Sequence, residues 1–134
     1  MHTTSRLLEE LDGGTTMEDA QAQVLAYIRQ HVPVANKAPL AGNSVGTDKV
    51  FLIRDMPELA EHLHYRIIDV STIKELARRW YPRAYFQAPA KTGNHRALGD
   101  IRDSINELKY YREAVFVPAP GPDSATAKKI SAKY

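Results

Sequence analysis

Only two stretches of this chain read as β-strands, the apolar run Ala38 to Gly42 (APLAG) and the run Arg66 to Val70 (RIIDV). They stand among many more segments with helical periodicity. A two-stranded ribbon is barely stable by itself, and amphipathic helices in an α/β protein need a sheet to cover. The expected fold class is therefore α/β, with helices packed on an incomplete sheet. The pattern fits the C-terminal part of a larger α/β domain, its other strands coming from elsewhere or the chain being a fragment.

The helical segments have readable starts and stops. Ser5 to Leu11 places Leu7, Leu8 and Leu11 at helical spacing and halts at Gly13-Gly14. Thr16, followed by Glu18 and Asp19, signals an N-cap with negative charge in the first turn. Ala20, Val24, Ile28 and Val32 predict an apolar stripe over 17–32, ended by Pro33. A turn over Asn43–Thr47 leads to a helix opened by Asp48, and Pro57 opens another ending near Leu63. Ser71 or Thr72 caps the next helix, where Ile73, Leu76, Ala77 and Trp80 share a face and Thr72 with Glu75 fits a capping box. Residues 81–94 read as a long loop. The helix from His95 to Glu113 presents Leu98, Ile101, Ile105 and Leu108. Residues 118–134, rich in Pro, Ala and Lys and poor in large apolar side chains, are expected to be disordered, leaving 1–117 as the domain.

Composition narrows the chemistry. The 134 residues contain no cysteine, which excludes a disulfide scaffold, thiol catalysis and thiolate-held zinc. Hydrophobic residues at 43% and charged residues at 25% argue against wholesale disorder. No apolar run has membrane-spanning length, and the opening residues lack a signal-peptide pattern, so a cytoplasmic location is expected. A net charge of +2 is compatible with a polyanionic partner without identifying one.

Two constellations could do chemistry. Asp48 and Asp100 each fall at or near a helix start, and His95 precedes Asp100 by five residues. That offset turns side chains by about 140° on a continuous helix, so the pair would flank a cleft. Carboxylates can hold a divalent metal while an imidazole takes a proton from water. The same acids also suit a helix start for the dipole alone, with His95 an ordinary loop residue. The second set is Tyr65-Arg66 with Ser71, Thr72 and Lys74. A hydroxyl, an ammonium and a guanidinium near a helix N-terminus suit a phosphate, although plain capping explains the serine equally well. Asp69 could be a ligand or the cap of the following helix. Trp80 is expected in the core.

Read together, 38–66, 67–82 and 95–112 resemble the oligoribonucleases, DEDDh-type 3′-to-5′ exonucleases of RNase H-like fold. The resemblance covers His2 to about Val117, and Arg78-Arg79-Trp80-Tyr81-Pro82 is similar to actinobacterial members. It implies that Asp48 and Asp100 are the third and fourth metal-binding acids and that His95 is the general base. It implies that Tyr65 belongs to the active site across a homodimer, and that His2, Ser44, Arg66, Ser71 and Lys74 contact a very short RNA. The implied substrates are RNAs of a few nucleotides, including linear dinucleotides. The implied cofactor is a pair of Mg2+ or Mn2+ ions.

One departure stands out. The family's opening strands carry an Asp-x-Glu motif that supplies the first two acids, and no such motif occurs in these 134 residues. Met1 matches what looks like an internal methionine of the family. Two ions roughly 4 Å apart need several bridging carboxylates, so the expectation is a truncated site, weak or inactive in this chain alone. The alternative is a non-catalytic remnant that binds nucleotides or dimerises.

Overall fold

A computed structural model describes residues 13–93 and 95–134. The segment Ser5 to Leu11 and the residue His2 lie outside the described residues. Helix α1 spans Met17–His31; strand β1, Leu40–Gly42; helices α2 and α3, Val45–Asp55 and Pro57–His62. Strand β2 spans Ile67–Asp69, followed by α4 (Val70–Trp80), α5 (Pro82–Phe86), α6 (Ala97–Ala114) and α7 (Ser124–Ser131).

Both expected strands form, and they pair in parallel with Leu40 opposite Ile67 and Gly42 opposite Asp69. Parallel pairing requires a crossover, supplied here by α2 and α3. Among the described residues the sheet has these two strands only, so the shortage read from the sequence persists in the fold. Among the described residues six apolar side chains are buried (Leu25, Val45, Leu59, Val70, Ala77 and Tyr111). They follow the contacts of α1 with α3 and of α4 and α6 with β1.

Local signals place the ends of the elements. Thr16 Oγ1 accepts from Asp19 N at 3.2 Å, as the capping pattern predicts. The buried line of α1 centres on Leu25, one residue round from the expected stripe, and Val24 faces solvent. Gln21 Oε1 accepts from Glu58 N and Leu59 N, capping α3 from outside. The buried His62 donates through Nε2 to Val32 O at 2.9 Å and is satisfied in the core.

Several expectations are corrected. Helix α2 begins at Val45, earlier than Asp48, because Ser44 turns the chain with left-handed backbone (φ 53°). Helix α4 is capped by Asp69, whose carboxylate accepts from Ser71 N, so Ser71 and Thr72 lie inside the helix and not at its cap. The expected loop 81–94 contains α5, started by Pro82 at its first turn. Tyr110 donates to Ala84 O and holds α5 on α6. Trp80 is 66% exposed, since it lies in the last turn, beyond the Val70–Ala77 line that meets the rest of the molecule. Within 118–134, Asp123 accepts from Thr126 N and starts α7, a helix of good formers with no buried residue.

Candidate active site

In parallel α/β sheets, ligands bind outside the carboxyl ends of the strands. Here β1 ends at Gly42 and β2 at Asp69, in register. Beside β1 a groove of about 640 Å3 opens between α2 and α6, floored by that strand. Its walls are apolar, with Phe51 and Leu52 on one side and Ile101 and Ile105 on the other. Asp48 and Asp100 both line it. Each stands in the first turn of its helix, where the dipole favours a carboxylate. Residues 52 positions apart thus face one space.

These are hard oxygen donors of the kind that Mg2+ and Mn2+ prefer. Two carboxylates fit part of a two-ion shell, and no cluster of three or more potential ligands occurs among the described residues. His95 lies two residues before α6, in left-handed backbone (φ 56°) and exposed. It precedes the first turn, the arrangement from which it can lean toward Asp100. Loop 87–93 leads toward it and is tied to α6. Thr92 donates through N and Oγ1 to Asp103 Oδ2, both at 2.9 Å. Lys91 Nζ lies 3.7 Å from the buried Glu107.

Beside the groove lies a hydrogen-bonded corner. Asp69 Oδ1 accepts from Ser44 N and from Ser71 N, each at 2.9 Å. Ser71 Oγ donates to Asn43 Oδ1 at 3.0 Å and lies 3.2 Å from Ser44 Oγ. Asn43 Nδ2 donates to Ser104 Oγ on α6, four residues beyond Asp100. The structure therefore brings Ser44 and Ser71 together. Lys74, one turn on from Ser71, places Nζ 3.9 Å from Glu107 Oε2, sharing that carboxylate with Lys91.

Arg66 stands at the other end of β2 from Ser71 and Lys74. Arg66 precedes β2 whereas Ser71 follows it, and three residues of strand separate Arg66 from Asp69 by about 10 Å. Arg66 covers the Tyr65 ring at 5.4 Å. Tyr65, 70% exposed, also stacks on His64. Sequence reading missed Asn43, Ser104, Asp103 and Glu107. The one available signal was that Asp103 and Glu107 stand four apart on a helix, a spacing shared by countless surface pairs.

Comparison with known proteins gives the family. The exonuclease family model matches residues 1–108. An oligoribonuclease of Streptomyces coelicolor is 72% identical over 134 residues, covering 100% of this chain and 67% of that protein. One from Cutibacterium acnes is 63% identical over 134 residues, covering 100% of this chain and 66% of its own. The chain spans about two thirds of the length of the curated relatives it matches. With the two acids on one groove beside β1, these matches over nearly all the chain show that it belongs to the exonuclease family of hydrolytic nucleases, among the oligoribonucleases.

Proposed function

We propose that the chain carries part of the active site of a cytoplasmic, dimeric 3′-to-5′ exoribonuclease acting on RNAs of a few nucleotides. The observation that carries this is the convergence of Asp48 and Asp100 on one groove beside the Ser44/Ser71 corner. Asp48 and Asp100 would hold divalent cations, whose chemistry is to polarise the scissile phosphoryl group and offset developing charge. His95 accepts the proton of the attacking water, a role suited to an imidazole near neutral pH. Ser44, Ser71 and Lys74 contact the terminal phosphate of the short substrate, and His2 contacts the substrate near them. Tyr65 and Arg66 lie together and exposed at the far end of β2; Tyr65 serves the site of a second copy, and Arg66 contacts the short RNA. Two acids are fewer than a two-ion site needs, so these 134 residues alone hydrolyse slowly.

Dinucleotide hydrolysis with Mn2+ tests this reading. The 134-residue chain is compared with the same chain preceded by an Asp-x-Glu segment of the family. The extended protein is expected to turn over dinucleotide, and His95→Ala in it to lose about 100-fold or more. Equal rates for both proteins would overturn the metal-site assignment. An inactive extended protein that still binds dinucleotide would favour the non-catalytic alternative.

A further inference from the structure

We propose that Asp103 and Glu107 are positioning residues for His95, two carboxylates one turn apart on α6 that fasten the loop before it and so fix where the base stands. This rests on the reading of His95 given above. Two consecutive loop residues are held. Thr92 donates through N and Oγ1 to Asp103 Oδ2, both at 2.9 Å, and Lys91 Nζ lies 3.7 Å from Glu107 Oε2. Between Lys91 and Thr92 the anchor moves from Glu107 to Asp103, about 6 Å toward the start of α6. The loop therefore runs back along the helix that the chain goes on to form, toward the turn that bears Asp100. Left-handed backbone follows at Gly93 (φ 64°) and at His95 (φ 56°). A histidine keeps that conformation only where its surroundings over-determine it. The two anchors fix the chain before His95, and α6 fixes it after.

Glu107 is the unusual member. It is 3% exposed, and a carboxylate is seldom buried unless paired. Its two cations stand at 3.7 and 3.9 Å, beyond ordinary hydrogen-bond length, and its Oε1 has no hydrogen-bond partner among the described residues. An apolar side chain of that size would pack there at least as well. What the carboxylate adds is a fixed charge that holds Lys91 of the loop and Lys74 of α4 to α6. Asp103 adds direction, because one of its oxygens accepts from both donors of Thr92. Residues 87–93 form no helix or strand of their own, so these side-chain anchors take the place of backbone pairing.

The test reads three properties of the 134-residue chain: amide hydrogen exchange at Thr92, the NMR signals of the His95 ring, and urea unfolding. The chain preceded by the Asp-x-Glu segment supplies kcat and KM for a dinucleotide with Mn2+. Asp103→Ala should speed Thr92 exchange about tenfold, move the ring signals and lower kcat about tenfold. KM should stay within about threefold and the urea midpoint nearly unchanged, since neither carboxylate touches the dinucleotide. Asp103→Asn keeps an accepting oxygen, so exchange and kcat should stay within about threefold of the unmodified protein. Glu107→Gln, which drops the charge and keeps the shape, should move the ring signals and lower kcat by a smaller factor. If it does not fold, Lys91→Met removes the same pair from the exposed side and should do likewise. Unchanged Thr92 exchange or ring signals in Asp103→Ala would overturn the proposal. So would a kcat lost with His95→Ala but kept with Asp103→Ala. Unmoved ring signals in Glu107→Gln or Lys91→Met would overturn the part assigned to Glu107. An unchanged kcat in His95→Ala would overturn the reading of the base, and the proposal with it.

Discussion

Helix α6 has two sides, and the more polar one is the better buried. One side carries Ser104, Glu107 and Tyr111 against α4 and β1, with Glu107 and Tyr111 essentially inaccessible. The other carries Leu98, Ile101 and Ile105, which are 59%, 55% and 48% exposed. Ile101 and Ile105 line the groove beside β1, together with the acids. An apolar stripe is buried only where something lies opposite it, and among the described residues nothing fills that groove. The contrast also explains how a carboxylate comes to be buried. Glu107 faces Lys74 and Lys91, which offset its charge, although its Oε1 has no hydrogen-bond partner among the described residues.

Cutting large side chains from the two sides gives the largest expected difference. Tyr111→Ala removes a fully buried aromatic and should cost about 3–5 kcal/mol in urea unfolding. Ile105→Ala, half-exposed in the groove, should cost less than about 1 kcal/mol. Equal losses would mean that the groove side is packed in solution.

A smaller effect isolates the Tyr111 hydroxyl, which is buried without a hydrogen-bond partner among the described residues. Burial first, then the negative charge of Glu107, pushes its ionisation above the usual tyrosine range. Because the folded value is the higher one, this stabilisation is present below about pH 10 and is lost as pH rises through the folded value. Tyr111→Phe should leave neutral-pH stability unchanged or slightly higher and flatten the alkaline loss, as thermal melts across pH would show. A clear loss at neutral pH would reveal a partner for the hydroxyl.

The smallest effect lies on the outer face of α4. There Glu75 pairs with Arg78 and Arg79 in full view of solvent. Hydrogen bonding from Arg78 holds its carboxyl down at about 2. Its contribution is therefore present above the unfolded value of about 4.3 and fades as pH falls toward 2. Solvent screening should make that contribution hard to detect in overall stability. Carbon-detected NMR titration should show Glu75 protonating late, and Arg78→Gln should move the midpoint up. An unmoved midpoint would assign the shift elsewhere.

The exposed apolar side of α6 was foreshadowed by the strand shortage in APLAG and RIIDV, since helices outnumbering strands must leave faces uncovered. Asp48 and Asp100 were legible as helix-start acids, but their convergence depended on the packing of α6 against β1, which no local pattern contains. The grouping of Arg66 with Ser71 and Lys74 followed from closeness in sequence and from the family resemblance, and the strand β2 lies between its members.

What the sequence by itself determined is local. Pro57 and Pro82 start helices, Thr16 caps one, and the runs at 38–42 and 66–70 contain the strands, because these effects act within a few residues. Only the tertiary structure decided that Gln21 caps α3, that Asp69 joins two serines 27 residues apart, and that Glu107 is buried while Trp80 is not. Those outcomes depend on which surfaces meet, and a side chain's burial and bonding are properties of its neighbours as much as of its own chemistry.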